Sequence, residues 1–322
     1  MTKVTIEDIS RQTGLSRGTV SRALNDRPDI SQQTKQRVLE ACKTLNYVPS
    51  YAARSLATGR TFAVTVLIPD LNSGFTRDLL HGVLSRAGQA QYLVSVIELG
   101  SDSNEARDRL RMLSGERIDG LVVAADLDAE TAARVAETLG NRPIASTHRI
   151  PNIAADVLAP DYREAGRLLA RELAGCGGPT ALLVCAECAS SRALSTGFRD
   201  ILPTAEIVEV RRADDLGALL STRLAGARGI ATGGEKIAAG LYCALLGSGK
   251  VPGRDIAVAC FGDGAALERM RPAVTVVDPV GAEVGRRAMD VILQRLGKMR
   301  HDAPEFTEVA PVVRSNASSR LG

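Results

Sequence analysis

Residues 4–26 read "VTIEDISRQTGLSRGTVSRALND". The stretch predicts a first short helix over "VTIEDISRQTG". Thr5 can cap it, with Asp8 three residues on in the manner of a capping box. Ile6 and Ile9 share a face, and Gly14 fits the left-handed position just past a helix end. Ser16 can cap a second helix, "RGTVSRALN", whose Val20 and Leu24 form an i, i+4 apolar pair. Two helices broken by so few residues, one of them glycine, have the form of a helix-turn-helix. Further on, Ser31 can cap a third helix, "QQTKQRVLEACKTLN", with Val38, Cys42 and Leu45 on one face.

The outer face of the second helix carries Arg17, Gly18, Thr19, Ser21 and Arg22. Glu and Lys are the usual residues of a face that serves only solubility. Arginine pairs with guanine edges through two bonds, and hydroxyls reach phosphates or bases. Gly18 lets a backbone come close. A helical hairpin that binds protein is the competing reading. Charge points the same way: the first sixty residues hold 10 Lys+Arg and 5 Asp+Glu, a net +5. With +3 for the whole chain, the other 262 residues carry a net −2. A basic head on a slightly acidic body suits an anionic partner, although a merely solvated basic surface would look alike.

These residues, with "SQQTKQRVLEACKTLNYVPSYAARSLATGRT", resemble the head of the LacI/GalR family of transcription regulators, without a gap through residue 60. The resemblance implies that the second helix lies in the major groove of double-stranded operator DNA. Arg17, Gly18 and Arg22 would then read bases, with Thr5, Ser16, Thr19, Ser21 and Asn25 nearby on backbone or base edges. "YVPSYAARSLA" matches the family's hinge helix. Alone it is too short to be stable in water, so two copies would fold together over DNA, with Ala53 among the small packing residues. Leu56 would act as an apolar wedge in the minor groove, against the plain alternative of a surface leucine. The wedge implies a homodimer on a pseudo-palindromic site.

At 322 residues the chain has room for about two domains of ~150 residues. No apolar run approaches a membrane span of ~18 residues, and "MTKVTIEDIS" lacks the pattern of a signal peptide. The expectation is a cytoplasmic bacterial protein that works at the nucleoid, with no membrane partner. The six cysteines are then expected reduced. "CAEC" (185–188) has redox or zinc spacing but no second ligand pair, so small core or loop residues are the competing reading. The remaining cysteines are read as small core hydrophobes.

From residue 61 aliphatic runs alternate with amphipathic helices. Nine strand candidates are "FAVTVLIP", "YLVSVI", "IDGLVVAA", "RPIAST", "TALLVCA", "EIVEV", "RGIAT", "DIAVACF" and "VTVVD". Such alternation predicts an α/β body of parallel sheets covered on both faces, split in two. "NIAADVLAPDY" is the expected crossing. "RIDGLVV", "DIAVACFGD" and "VTVVDPVGAEVGRRAMDVIL" are similar to later blocks of the same family, whose body is a two-lobed, periplasmic-binding-protein-like fold with a ligand cleft. The resulting organisation is a helix-turn-helix domain (1–48), a hinge (49–60), and an effector-binding and dimerisation domain (61–322). Lobe one is expected at about 61–158 plus 279–300, and lobe two at about 159–278 plus 301–322.

Loops at strand carboxyl ends line such a cleft. The effector-contacting candidates are Asp70, Asn72, Phe75, Asp126, His148, Arg149, Arg192, Glu235, Asp263 and Asp278. The chain departs from the family's sugar binders here, with His148 at a usual acid, Gly262 at a usual Asp, and Leu194 at a common Arg. His148, Arg149 and Arg192 would suit a sugar phosphate or sugar acid better than a neutral sugar. Alternatively they point to solvent or brace the fold, or the body has lost small-molecule sensing. A small-molecule binder with a vestigial head is a further reading. Neither "GCGGP" nor "TGGEK" is a nucleotide-phosphate cradle, and no Ser/His/Asp set is present. No enzyme activity, cofactor or metal is expected.

Overall fold

The structure, a computed structural model, describes residues 4–321 apart from 25–26, 48–54, 56–57, 101–102, 116, 187, 189 and 212–214. It contains two compact units, residues 1–62 and 63–322.

The small unit is three helices, α1 (Ile6–Thr13), α2 (Arg17–Leu24) and α3 (Gln32–Thr44). Thr5 donates its backbone N–H to Asp8 Oδ2 at 2.9 Å, and its hydroxyl bonds the same oxygen at 2.8 Å. Gly14 ends α1 at φ 65°. Ser16 and Ser31 accept from Thr19 N (3.1 Å) and Thr34 N (3.2 Å), so each helix starts on a satisfied donor. Ile9, Val20, Ala23, Val38 and Ala41 form the buried centre. So few apolar residues suffice because the three helices meet pairwise around them.

The large unit has two six-stranded sheets. The first is ordered β11-β5-β4-β3-β1-β2, all parallel. Its strands are β1 (Ala63–Ile68), β2 (Leu93–Glu98), β3 (Gly120–Val123), β4 (Ile144–Ser146), β5 (Asp156–Pro160) and β11 (Phe306–Val309). The second is ordered β12-β10-β9-β8-β6-β7 and is parallel except for β12. It comprises β6 (Thr180–Cys185), β7 (Glu206–Val210), β8 (Gly229–Thr232), β9 (Ala257–Phe261), β10 (Thr275–Asp278) and β12 (Val312–Arg314). Helices α4 (Gly74–Gln89), α5 (Ser103–Gly115), α6 (Ala129–Leu139) and α12 (Gly281–Leu296) clothe the first sheet. Helices α7 (Tyr162–Leu173), α8 (Ser191–Ile201), α9 (Leu216–Ser221) and α10 (Glu235–Gly247), with the short α11 (Gly264–Leu267), clothe the second. Central strands are buried along their whole length, which explains their unbroken aliphatic sequence.

One helix pair in each lobe crosses on glycines. A Cβ on Gly82 would overlap the Ala282 carbonyl, and one on Gly285 the Leu79 carbonyl, so α4 and α12 touch backbone to backbone. Gly166 and Gly197 do the same for α7 and α8, against Leu194 and Arg163 carbonyls.

All nine expected strands are present, and β5 lies inside the expected crossing segment. Two strands at the carboxyl end were not expected, and they move a boundary. Residues 301–322 were assigned to lobe two, yet β11 pairs with β5 in the first sheet, and only β12 joins the second. The cause is Asp156, whose side chain is almost wholly buried. It accepts from Arg295 Nη2 at 2.8 Å and Glu305 N at 3.1 Å, with Arg300 at 3.6 Å. Satisfying that carboxylate docks 300–306 on lobe one. The chain therefore crosses between lobes after β5, after β10, and at Ala310–Pro311.

Candidate functional site

In the head, Arg17, Gly18 and Arg22 are exposed along α2, whereas Thr19 and Ser21 are half-buried. The buried face of the same helix is Val20 and Ala23. A Cβ at Gly18 would meet only Ser16 Oγ, at an ordinary 3.8 Å. Head packing therefore does not require glycine there, although glycine costs a helix up to ~1 kcal/mol. The hydroxyls of Thr5 and Ser16 take part in the two helix starts. Paired bonds from Thr5 hold the Asp8 carboxyl below its ordinary pKa, the backbone bond being the larger cause. Arg17 faces Glu7 at 3.7 Å and Arg22 bonds Asp29 at 3.1 Å. Sequence reasoning passed over both acids. Asn25, Ala53 and Leu56 lie outside the described residues, so the wedge assignment stays a proposal.

In the body, the cleft candidates fall into two groups. Asp70, Glu235, Asp263 and Asp278 come together with cations that sequence reasoning missed. Asp70, after β1, accepts from Asn72 N (2.8 Å) and Asn72 Nδ2 (2.9 Å), and pairs across the lobes with Lys236 Nζ at 3.1 Å. The Asn72 backbone bond, the largest cause, lowers the Asp70 pKa. Asp263, 7% exposed, is gripped across the lobes by Arg77 of α4 and caps α11 through Ala265 N at 3.0 Å. Glu235 Oε1 accepts from Asp263 N at 2.5 Å, and burial raises its pKa. Asp278 is buried, pairs with Arg314 of β12 and accepts from Val280 N at 2.6 Å. Gly74, buried at the start of α4, lies where a Cβ would sit 2.5 Å from Asp263 Cβ and 2.6 Å from Glu235 Oε1. The lobes thus close on each other through their own side chains. One signal could have found these partners. Arg77 and Lys236 both sit in the first turn of a helix, where the macrodipole disfavours cations, so each needed a carboxylate from elsewhere.

The second group has no bond to that cluster among the described contacts. His148 Nε2 lies 3.4 Å from the exposed Asp126 without hydrogen-bond geometry, and its Nδ1 is 3.2 Å from Thr147 Oγ1. Arg149 stacks over the Phe306 ring of β11, 5.0 Å from its centroid. Arg192 is exposed near the start of α8, and Phe75 is half-buried near the start of α4. Leu194, where the family commonly has Arg, is buried against the α7–α8 crossing. Cys185 is half-buried and Cys188 exposed. Cys243, read from sequence as a core residue, is exposed on α10, so its thiol adds nothing to the core.

Residues 5–50 match the family described as bacterial regulatory proteins, lacI family, and residues 170–316 match the periplasmic binding protein-like domain.

The chain carries a LacI-family head and a periplasmic-binding-protein-like domain.

Members of this family are transcription regulators, not enzymes. The chain is 23% identical over 318 residues to the HTH-type transcriptional repressor PurR of Haemophilus influenzae strain PittEE, covering 95% of each chain. Its fold is similar to that of the lac repressor dimer bound to operator and the anti-inducer ONPF, with a TM-score of 0.78. That likeness covers 99% of this chain and 100% of the other, at 21% identity. It is also similar to the transcriptional regulator CelR in complex with cellobiose (TM-score 0.70, 19% identity, 98% and 100% covered). No helix among the described residues is long and apolar enough to cross a membrane.

Proposed function

We propose that this chain is a dimeric LacI-family repressor that binds a pseudo-palindromic operator and answers to a small metabolite in the interlobe cleft. The observation that carries the reading is α2: a capped, packed helix presenting Arg17, Gly18 and Arg22 to solvent. Relatives named as repressors, and a lac repressor bound to operator, support the direction of control. Leu56 and Ala53 would serve in the hinge, with Asn25 beside the reading helix.

Dimerisation is supported by exposed apolar side chains on lobe one: Leu93 and Val96 on the edge strand β2, Leu84 on α4, and Leu71 after β1. A second copy of the chain would cover them.

The effector class we propose is a sugar, sugar phosphate or sugar acid, with Arg192, Phe75, Asn72 and the His148–Asp126 pair as the candidate contacts. Arg149, stacked on Phe306, contributes less. The self-made closure through Arg77–Asp263 and Lys236–Asp70 favours a second reading, in which the body no longer senses small molecules.

The test has two arms. Selection from a randomised duplex pool should return a two-fold-symmetric site, and an unenriched pool would refute operator binding. Melting against neutral sugars, sugar phosphates and sugar acids should give a rise of several degrees for one class, since a ligand at ~100 times its Kd adds about 2.7 kcal/mol. No rise for any class would leave the second reading in possession.

A further inference from the structure

Asp29 is an acid on a surface expected to face one of the most negatively charged polymers in the cell. Double-stranded DNA carries one charge per ~1.7 Å of its axis, so a carboxylate there opposes binding. The local structure fixes it in place. Arg27, Pro28, Asp29 and Ile30 form a turn closed by Ile30 N donating to Arg27 O at 3.3 Å. Proline is favoured at the second position of such a turn because its φ is already set. Ile30 packs partly against the head core, and Arg27 N donates to Arg22 O at 3.1 Å, tying the turn to the end of α2. The turn therefore holds Asp29 beside α2.

The carboxylate meets one guanidinium. Arg22 Nη1 donates to Asp29 Oδ2 at 3.1 Å, and Arg22 Nε reaches the Gly18 carbonyl at 3.4 Å. Two of the five guanidinium N–H groups are used, and three remain for another partner. Two suffice for a paired contact with guanine O6 and N7. A free arginine of this kind samples many rotamers, among the largest losses of side-chain freedom on ordering. Both groups are more than half exposed, so the pair adds little to head stability.

We propose that Asp29 is a positioning residue for operator reading: it holds the Arg22 guanidinium in the orientation that contacts a base, trading non-specific affinity for sequence discrimination. This rests on the proposal that α2 reads an operator.

The experiment uses the full chain, an operator selected from a randomised duplex pool, and a scrambled duplex of equal length at one salt concentration. Dissociation constants are measured for the unaltered chain and for Asp29→Asn, Asp29→Glu, Arg22→Ala and the Arg22→Ala/Asp29→Asn pair. Removing a negative charge should leave scrambled-duplex binding equal or tighter. The operator-to-scrambled ratio should nevertheless fall about ten-fold in Asp29→Asn, within the range for one paired base contact. Asp29→Glu should restore most of it, and in the Arg22→Ala background Asp29→Asn should leave the ratio unchanged. Circular dichroism melts should match throughout, separating positioning from folding. If Arg22→Ala collapses the ratio while Asp29→Asn leaves it intact, Asp29 does not position Arg22 and the inference falls alone. If Arg22→Ala also leaves the ratio intact, the reading role of α2 falls with it.

Discussion

Replacing Gly74 with alanine tests the closed cleft directly. The added Cβ would lie 2.5 Å from Asp263 Cβ and 2.6 Å from Glu235 Oε1. Carbon contacts settle near ~3.5–4.0 Å, so the first turn of α4 must retreat from lobe two by about 1 Å. That retreat pulls Arg77 off Asp263, whose side chain is 7% exposed. A hydrogen bond to a charged group contributes about 1.5–3 kcal/mol. Because Arg77 is 55% exposed, solvent screening reduces the loss to about 1–2 kcal/mol. At ~2–4 °C per kcal/mol for a unit near this size, the melting temperature should fall by about 2–8 °C. The control is Gly88→Ala in the same helix, where a Cβ meets nothing within 4 Å. There the better helix propensity of alanine should raise stability by up to ~1 kcal/mol. Both melts are followed by calorimetry on the ligand-free chain. If Gly74→Ala melts with or above Gly88→Ala, α4 is not pressed onto Glu235 and Asp263, and the closed cleft is wrong.

Three further outcomes follow from the packing and charge layout. Gly285→Ala and Gly166→Ala place a methyl on the Leu79 and Leu194 carbonyls, and each should cost several times what Gly88→Ala gains, read as a lower denaturation midpoint. Burial raises the Glu235 pKa from 4.5, so the fold favours its protonated form. Its contribution is full below about pH 4.5 and is lost as pH rises through the folded value, so Glu235→Gln should raise the neutral-pH melt and flatten its slope above pH 4.5. Gln keeps the acceptor for Asp263 N. Leu84→Asp, at a residue 51% exposed, should shift the chain toward monomer in sedimentation without lowering its melt at matched subunit state.

The head was legible almost residue by residue, because its signals are local: Thr5 with Asp8, Gly14, Ser16 and Ser31 act within one helical turn. Most of the nine expected strands were legible because burial on both faces leaves an unbroken aliphatic run; the edge strands β2 and β7 were legible from their β-branched residues. β11 and β12 were not, being edge strands of four and three residues whose side chains are mostly exposed. What recruits β11 is a buried Asp156 some 150 residues earlier, and no window of sequence contains that pairing. The partners of the cleft acids were hidden in the same way. Asp263 and Asp278 stood out as acids at strand ends, the pattern of ligand contacts. Their cations, Arg77 at a separation of 186 residues and Arg314 on an unexpected strand, could not be read beside them.

The third crossing between lobes has a consequence for synthesis. Lobe one leaves the ribosome in two instalments. Its strands through Pro160 emerge first, and α12 begins only at Gly281, with β11 later still. Gly120 of β3 packs on Ile292 of α12, so that helix is part of the cover of the sheet rather than an addition to it. At ~5–20 residues per second the wait for α12 is on the order of 6–24 s. Lobe two, intact but for β12, can condense during that interval while β3, β4 and β5 of lobe one lack the cover of α12. Nascent chains stalled between residues 160 and 281 should therefore be the forms that chaperones capture and that aggregate. Emergence of α12 and then β11 completes the cover of lobe one.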